Sequence, residues 1–160
     1  MPDVTKGGFY KMCLNCAIIG DPENISPLQG NEIGNIHLKQ QLEAIINMLY
    51  QCDYKKFMIG GSNRFDILVS QSILDLRKKL RDIQLCCLLS QYNNLQDSDY
   101  GNTRNKDMIS SSQILLAVCN SANLTSSTMQ AVNFARDKHR DVILLHTGDM
   151  EFHIENNFIY

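Results

Sequence analysis

The chain has 160 residues, 44% hydrophobic and 20% charged, with a formal net charge of −2 at pH 7. This suits one globular domain with one core, and it excludes a disordered or fibrous chain and a global basic field for nucleic acid or an anionic membrane. No apolar run is long enough to span a bilayer, and the N-terminus lacks the charged-then-apolar order of a signal peptide. A cytoplasmic protein with reduced cysteines is therefore expected.

Residues Met1 to Met12 carry Gly7 and Gly8 without any period and read as a loose lead-in. Leu14 to Ile19 is a short apolar run stopped by Gly20, Asp21 and Pro22, which predicts a buried strand. After a turn-rich stretch, Leu38, Leu42, Ile45, Ile46 and Leu49 recur on one face of a helix. Phe57 to Ile59 reads as a second strand, ended by Gly60 and Gly61. Val69, Ile73, Leu76 and Leu80 then mark a second amphipathic helix, whose end Lys78, Lys79 and Arg81 favour through the helix dipole. Ile83 to Leu89 predicts a third buried strand, and Ser90 to Thr103 a long polar loop. A short helix over Arg104 to Ser111, a strand over Ile114 to Cys119, a helix over Ser127 to Lys138 and a strand over Val142 to Leu145 complete the alternation. The apolar side chains beyond Asp149 suggest docking on the body or on a second subunit.

Six cysteines and four histidines raise the question of a metal. Cys13 and Cys16 form a C-x-x-C, but no second ligand pair stands at a usable spacing. Cys86 and Cys87, adjacent on a strand, point to opposite faces. No metal and no cofactor are expected, and the thiols read as small apolar side chains.

Strand–helix alternation with continuous apolar strands predicts an α/β fold. It is a single Rossmann-like three-layer domain over 1–160, with its core at about 14–146, built on a mostly parallel sheet of five or more strands with helices on both faces. Ligands bind such sheets beyond the carboxyl ends of the strands. The candidate site is then the set of segments that follow each strand: Gly20 and Asp21, Gly60 to Asp66, Ser90 onward, Asn120 to Thr128, and His146 onward.

Phe57 to Asp66 reads FMIGGSNRFD. It resembles the strand, Gly-Gly-Ala-x-Gly-x-Asp, helix motif of the YpsA-like branch of the SLOG superfamily. That superfamily of Rossmann-like domains also holds the LOG phosphoribohydrolases and the DNA-processing protein A domain. Arg104 to Ile109 is similar to the branch's Arg-Asn-x-x-Met-Val segment, and Ser126, Ser127 and Thr128 fall where the family has Gly-Gly-Thr. The resemblance covers roughly Cys16 to Leu145 in order. It implies a nucleotide-type pocket, and SLOG domains often pair as homodimers. This chain departs at Ser62, Arg64, Ser110, Asp21 and the two serines at Ser126 and Ser127. Each serine keeps its N–H donor but adds a Cβ that narrows the approach of a phosphate.

The ligand-binding candidates are Gly20, Asp21, Gly60, Gly61, Ser62, Asn63, Asp66, Arg104, Asn105, Asn120, Ser126, Ser127 and Thr128. Each has a plainer reading. Gly60 and Gly61 permit a tight turn, or present N–H groups to an anion. Asp66 caps a helix, or accepts a sugar hydroxyl as the resemblance implies. Arg64 is solvated, or clamps a phosphate. Ser126 to Thr128 cap a helix, or donate to a phosphate at its positive end. Arg104 and Asn105 pack a loop, or close the pocket as the resemblance implies; Asp21 caps a turn.

LOG-type hydrolases carry a glutamate three residues after the threonine of their Pro-Gly-Gly-x-Gly-Thr segment. Here that place is Ala131, which disfavours their glycosidic cleavage. No Cys–His or Ser–His pair stands out at two neighbouring strand ends. The expected function is a binding module for a nucleotide or nucleotide-derived small ligand. The alternatives are a nucleotide-processing hydrolase with a diverged site and, more weakly, single-stranded DNA binding, which the net charge opposes.

Overall fold

The computed structural model describes residues 13–22, 32–61, 63–88, 97–119, 126–147 and 151–155. Ser62, Asn120 and the lead-in before Cys13 lie outside these residues. In chain order the elements are β1 (Leu14–Gly20), α1 (Glu32–Gln51), β2 (Tyr54–Ile59), α2 (Arg64–Leu76), β3 (Gln84–Cys87), α3 (Asp97–Ser110), β4 (Ile114–Cys119), α4 (Ser127–Asp137), β5 (Asp141–His146) and β6 (Phe152–Glu155). The strands form one sheet in the order β3-β2-β1-β4-β5-β6, parallel throughout except for β6, which runs antiparallel to β5. This is the expected Rossmann-like α/β architecture, a mostly parallel sheet between two helical layers.

The two-residue period of a strand sorts the apolar side chains into two cores. Cys16, Ile18, Phe57, Ile59, Leu116, Val118, Ile143 and Leu145 face one way, against the Leu38–Leu49 stripe of α1 and Phe65, Val69 and Ile73 of α2. Ala17, Ile19, Met58, Leu115, Ala117, Cys119, Val142 and Leu144 face the other way, against Met108 and Ile109 of α3 and Ala131, Val132 and Ala135 of α4. Both faces of β1 and β4 are covered, which is why their sequences read as unbroken apolar runs.

Three expectations need correction. The third strand is not buried: β3 is short and stands at the sheet edge, with Gln84 and Cys87 exposed. The long loop ends early, because α3 begins at Asp97 and not at Arg104; its first turns have no apolar stripe to betray them. The basic cluster after Leu76 lies just past α2, with Arg77 as its C-cap and Lys78 in the following turn.

Part of the C-terminal segment docks on the body as β6, leaving Phe152 and Ile154 exposed on the outer strand. Its grip on α4 is ionic: Arg136 donates from Nε and Nη2 to Glu155 at 2.9 and 2.6 Å. The guanidinium hydrogen bond holds the Glu155 carboxyl below the usual carboxylate range, against a smaller opposing effect of burial. A carboxyl depressed in the folded state stabilises above its unfolded pKa, and that contribution is lost as pH falls through the depressed value. Both side chains are partly exposed, so the pair contributes less than about 1 kcal/mol. Amide protection factors in β6 are therefore expected to fall from pH 5 to pH 3 in the wild type, and to change little over that window in Arg136→Gln. Equal pH profiles in the two proteins would contradict this.

Candidate functional site

Strand order reverses between β1 and β4: α1 and α2 carry the chain away from β1 on one side, and α3 returns it to the other. A crevice opens at such a reversal because the loops on either side leave in opposite directions. Asp21, the residue after β1, stands at this point. It is 4% exposed, and its Oδ1 accepts a hydrogen bond from Thr128 Oγ1 at 2.7 Å. The turn cap expected for Asp21 is thus replaced by a link across the reversal to the first turn of α4. Its other oxygen, Oδ2, is buried and has no hydrogen-bond partner among the described residues.

The four helices all begin on this edge, and the N-caps of two of them fall among the site candidates. Ser126 is the N-cap of α4, its side chain accepting from the Met129 N–H at 3.2 Å. At α2 the cap is Asn63 and not Asp66: Asn63 Oδ1 accepts from the Asp66 N–H at 2.9 Å. Asp66 sits within the first turn, 3% exposed, on the side toward β3. There its charge reinforces burial and Cys86 in pushing up the Cys87 thiol. Arg64 is exposed at the start of α2 and donates from Nη2 to the Pro22 carbonyl at 3.2 Å.

The glycines are explained by what approaches them. Gly61 has φ 86, a left-handed conformation that costs a side chain strain. A Cβ on Gly60 would fall inside the guanidinium of Arg104, which lies flat against it. Arg104 is 9% exposed, and its Nη2 donates to Asn105 Oδ1 at 3.3 Å. A Cβ on Gly20 would meet three ring carbons of Phe65 at 2.6–2.7 Å. The segments after β1 and β2 are thereby locked onto α2 and α3.

Two groupings emerge from the sequence candidates: Asp21 with Thr128, and Gly60 with Arg104 and Asn105. A small cleft of about 70 Å³ lies between α3 and α4, and Asn105 and Ser127 share its wall. A larger groove lies between α1 and α2. It measures about 450 Å³ and is lined by Asn35, Ile36, Lys39, Ile67 and Gln71 among others. Its lining comes from the first two turns of both helices, so it opens at their carboxyl-edge end, Arg64 included.

One juxtaposition escaped the sequence reading. Cys119 and His146 are register partners at the ends of neighbouring β4 and β5, the kind of Cys–His pair that the linear pattern did not offer. Aligning the two strand ends by their apolar runs would have revealed it. Burial pushes the Cys119 thiol up and the Asp21 carboxylate adds to the shift, the reverse of what a thiolate nucleophile requires. Among the described residues no group of three or more His, Cys, Asp or Glu is placed to hold a metal ion, and no helix is long and apolar enough to cross a membrane. The chain matches no protein-family model and no curated protein sequence.

Proposed function

We propose that this chain is a cytoplasmic binding module for a nucleotide or nucleotide-derived small ligand, held at the carboxyl edge of the sheet where strand order reverses between β1 and β4. The observation that carries this reading is the buried Asp21–Thr128 link across the strand-order reversal, beside the capped N-terminus of α4. Helix N-termini present free N–H groups and a positive dipole end, which suit an anionic group. The buried Arg104 against Gly60 adds positive charge on the same edge. The similarity of Phe57 to Asp66 and of Arg104 to Ile109 to the YpsA-like branch of the SLOG superfamily supports the same site. Binding is favoured over glycosidic hydrolysis because Ala131, where LOG enzymes carry their glutamate, is packed into the α3–α4 core.

A thermal-shift screen against nucleoside mono-, di- and triphosphates and dinucleotides tests the reading. At about a hundredfold excess over Kd, a ligand that binds only the folded state adds about 2.7 kcal/mol, or roughly 5–10 °C in a domain of this size. Gly61→Glu places a carboxylate on the edge and is expected to abolish that shift. Gly61→Asn, a residue that tolerates positive φ, is expected to keep a folded protein with a residual shift. A panel without any stabilising nucleotide overturns the proposal, as does a shift that Gly61→Glu leaves intact.

A further inference from the structure

We infer that the groove between α1 and α2 docks an amphipathic helix of another protein, one with two apolar anchors two turns apart and acidic residues flanking them. This surface is separate from the nucleotide site and does not depend on that reading. Three of the five large apolar side chains exposed among the described residues stand on this face: Ile36 on α1, and Ile67 and Leu74 on α2. Single exposed apolar residues need no explanation, whereas a cluster beside a groove marks a surface for a partner. The groove holds a second hollow of about 330 Å³ beyond the first, lined by Glu43, Ala44 and Asn47 of α1 and by Leu76 and Leu80. Between the two hollows Lys39 Nζ reaches Glu43 at 2.5 Å and Asp75 at 2.6 Å, tying α1 to α2 and fixing the width of the groove.

The spacing of the hollows selects the occupant. Their linings are centred about seven residues apart along α1, or about 10 Å at a rise of about 1.5 Å per residue. A docked helix returns a side chain to the same face after about two turns, at that same distance. An extended chain repeats at about 6.6–6.8 Å, out of step with the second hollow. It would also find no strand edge to pair with, since both walls are helices. Charge selects the flanks. Lys39 is engaged by Glu43 and Asp75, which leaves Arg64 at one end and Lys79 at the other without an acidic partner among the described residues. Carboxylates outside both anchors meet these two cations, although the chain as a whole carries −2. A second copy of this chain fits badly. Among the described helices α2 alone exposes two large apolar residues at this spacing, Ile67 and Leu74, and it flanks them with Arg64, Arg77 and Lys78. Those would set cation against cation.

The experiment is fluorescence anisotropy of the full chain with two labelled peptides built on one Ala-rich helix of about 20 residues. Both carry leucine at i and i+7; one has glutamate and the other lysine at i−4 and i+11. The glutamate peptide is expected to bind with a Kd on the order of 10 μM, at least about tenfold tighter than the lysine peptide. Ile67→Asp is expected to weaken it about tenfold or more, and Lys79→Glu to shrink the preference between the peptides below about threefold. Ile67 is 56% exposed, so Ile67→Asp is expected to fold; Ile36→Asp serves the same purpose on the other wall. No binding of the glutamate peptide up to about 1 mM overturns the inference, as does equal affinity of the two peptides. Binding that is indifferent to both aspartate variants overturns it too. So does light scattering that shows the chain alone as a dimer which Ile67→Asp dissolves, since a second copy then fills the groove.

Discussion

Gly20→Ala is expected to destabilise the domain by about 1–3 kcal/mol, the range for forcing extra volume into a packed core, and to lower Tm by roughly 3–10 °C. The added methyl would arrive 2.6–2.7 Å from three ring carbons of Phe65. Neither side can yield easily. Gly20 is held in register with Val118 of β4, and Phe65 is 0% exposed in the first turn of α2. The prediction has a built-in control. In a Phe65→Leu background the methyl has room, so Gly20→Ala should then cost less than about half its effect in the wild type, a non-additivity expected only for residues in contact. Denaturant titration of the four proteins gives the comparison; strictly additive effects would contradict the contact.

Leu116→Ala is expected to cost more, about 2–5 kcal/mol, because it removes a fully buried side chain and leaves a cavity. Leu116 lies on β4, paired with β1 on one side and β5 on the other, so backbone neighbours hold the cavity open. Against a typical total stability of about 5–15 kcal/mol, this is a large share. Ile67→Ala makes the contrast. Ile67 is 56% exposed on α2, and its truncation should stay within about 0.5 kcal/mol. A comparable loss at both positions would mean that the outer face of α2 is covered in solution.

That contrast also indicates what the sequence could and could not reveal. The continuous runs of β1 and β4 and the i, i+4, i+7 stripe of α1 are imposed by burial, so they were visible in the linear pattern. The start of α3 was not, since a helix without an apolar stripe has the composition of a loop. The exposure of β3 depends on its being the last strand on its side, a property of strand order and not of its own residues. β6 is four residues long and pairs antiparallel on the edge, too short for its alternation to register.

At the site the same division holds. That Asp21, Gly60, Gly61 and Ser126 to Thr128 follow strands was legible from the alternation of elements. The Asp21–Thr128 bond spans 107 residues, and the contact of Arg104 with Gly60 likewise joins separate crossovers. Such pairings are set by which strands become neighbours, and no local spacing carries that information. The helix caps show the limit on a smaller scale. Asn63 and Asp66 are both good capping residues three positions apart, and the N-terminal boundary of α2 alone decides which one caps.

Backbone amide NMR of the isotopically labelled chain, titrated with the nucleotide that stabilises it best, tests the central claim most directly. Binding at the strand-order reversal predicts the largest shift changes at Gly60, Gly61, Asn63 and Thr128, clearly above those of Ile36 and Gln71 in the α1–α2 groove. Changes centred on that groove, or scattered without a focus on the carboxyl edge, would contradict it.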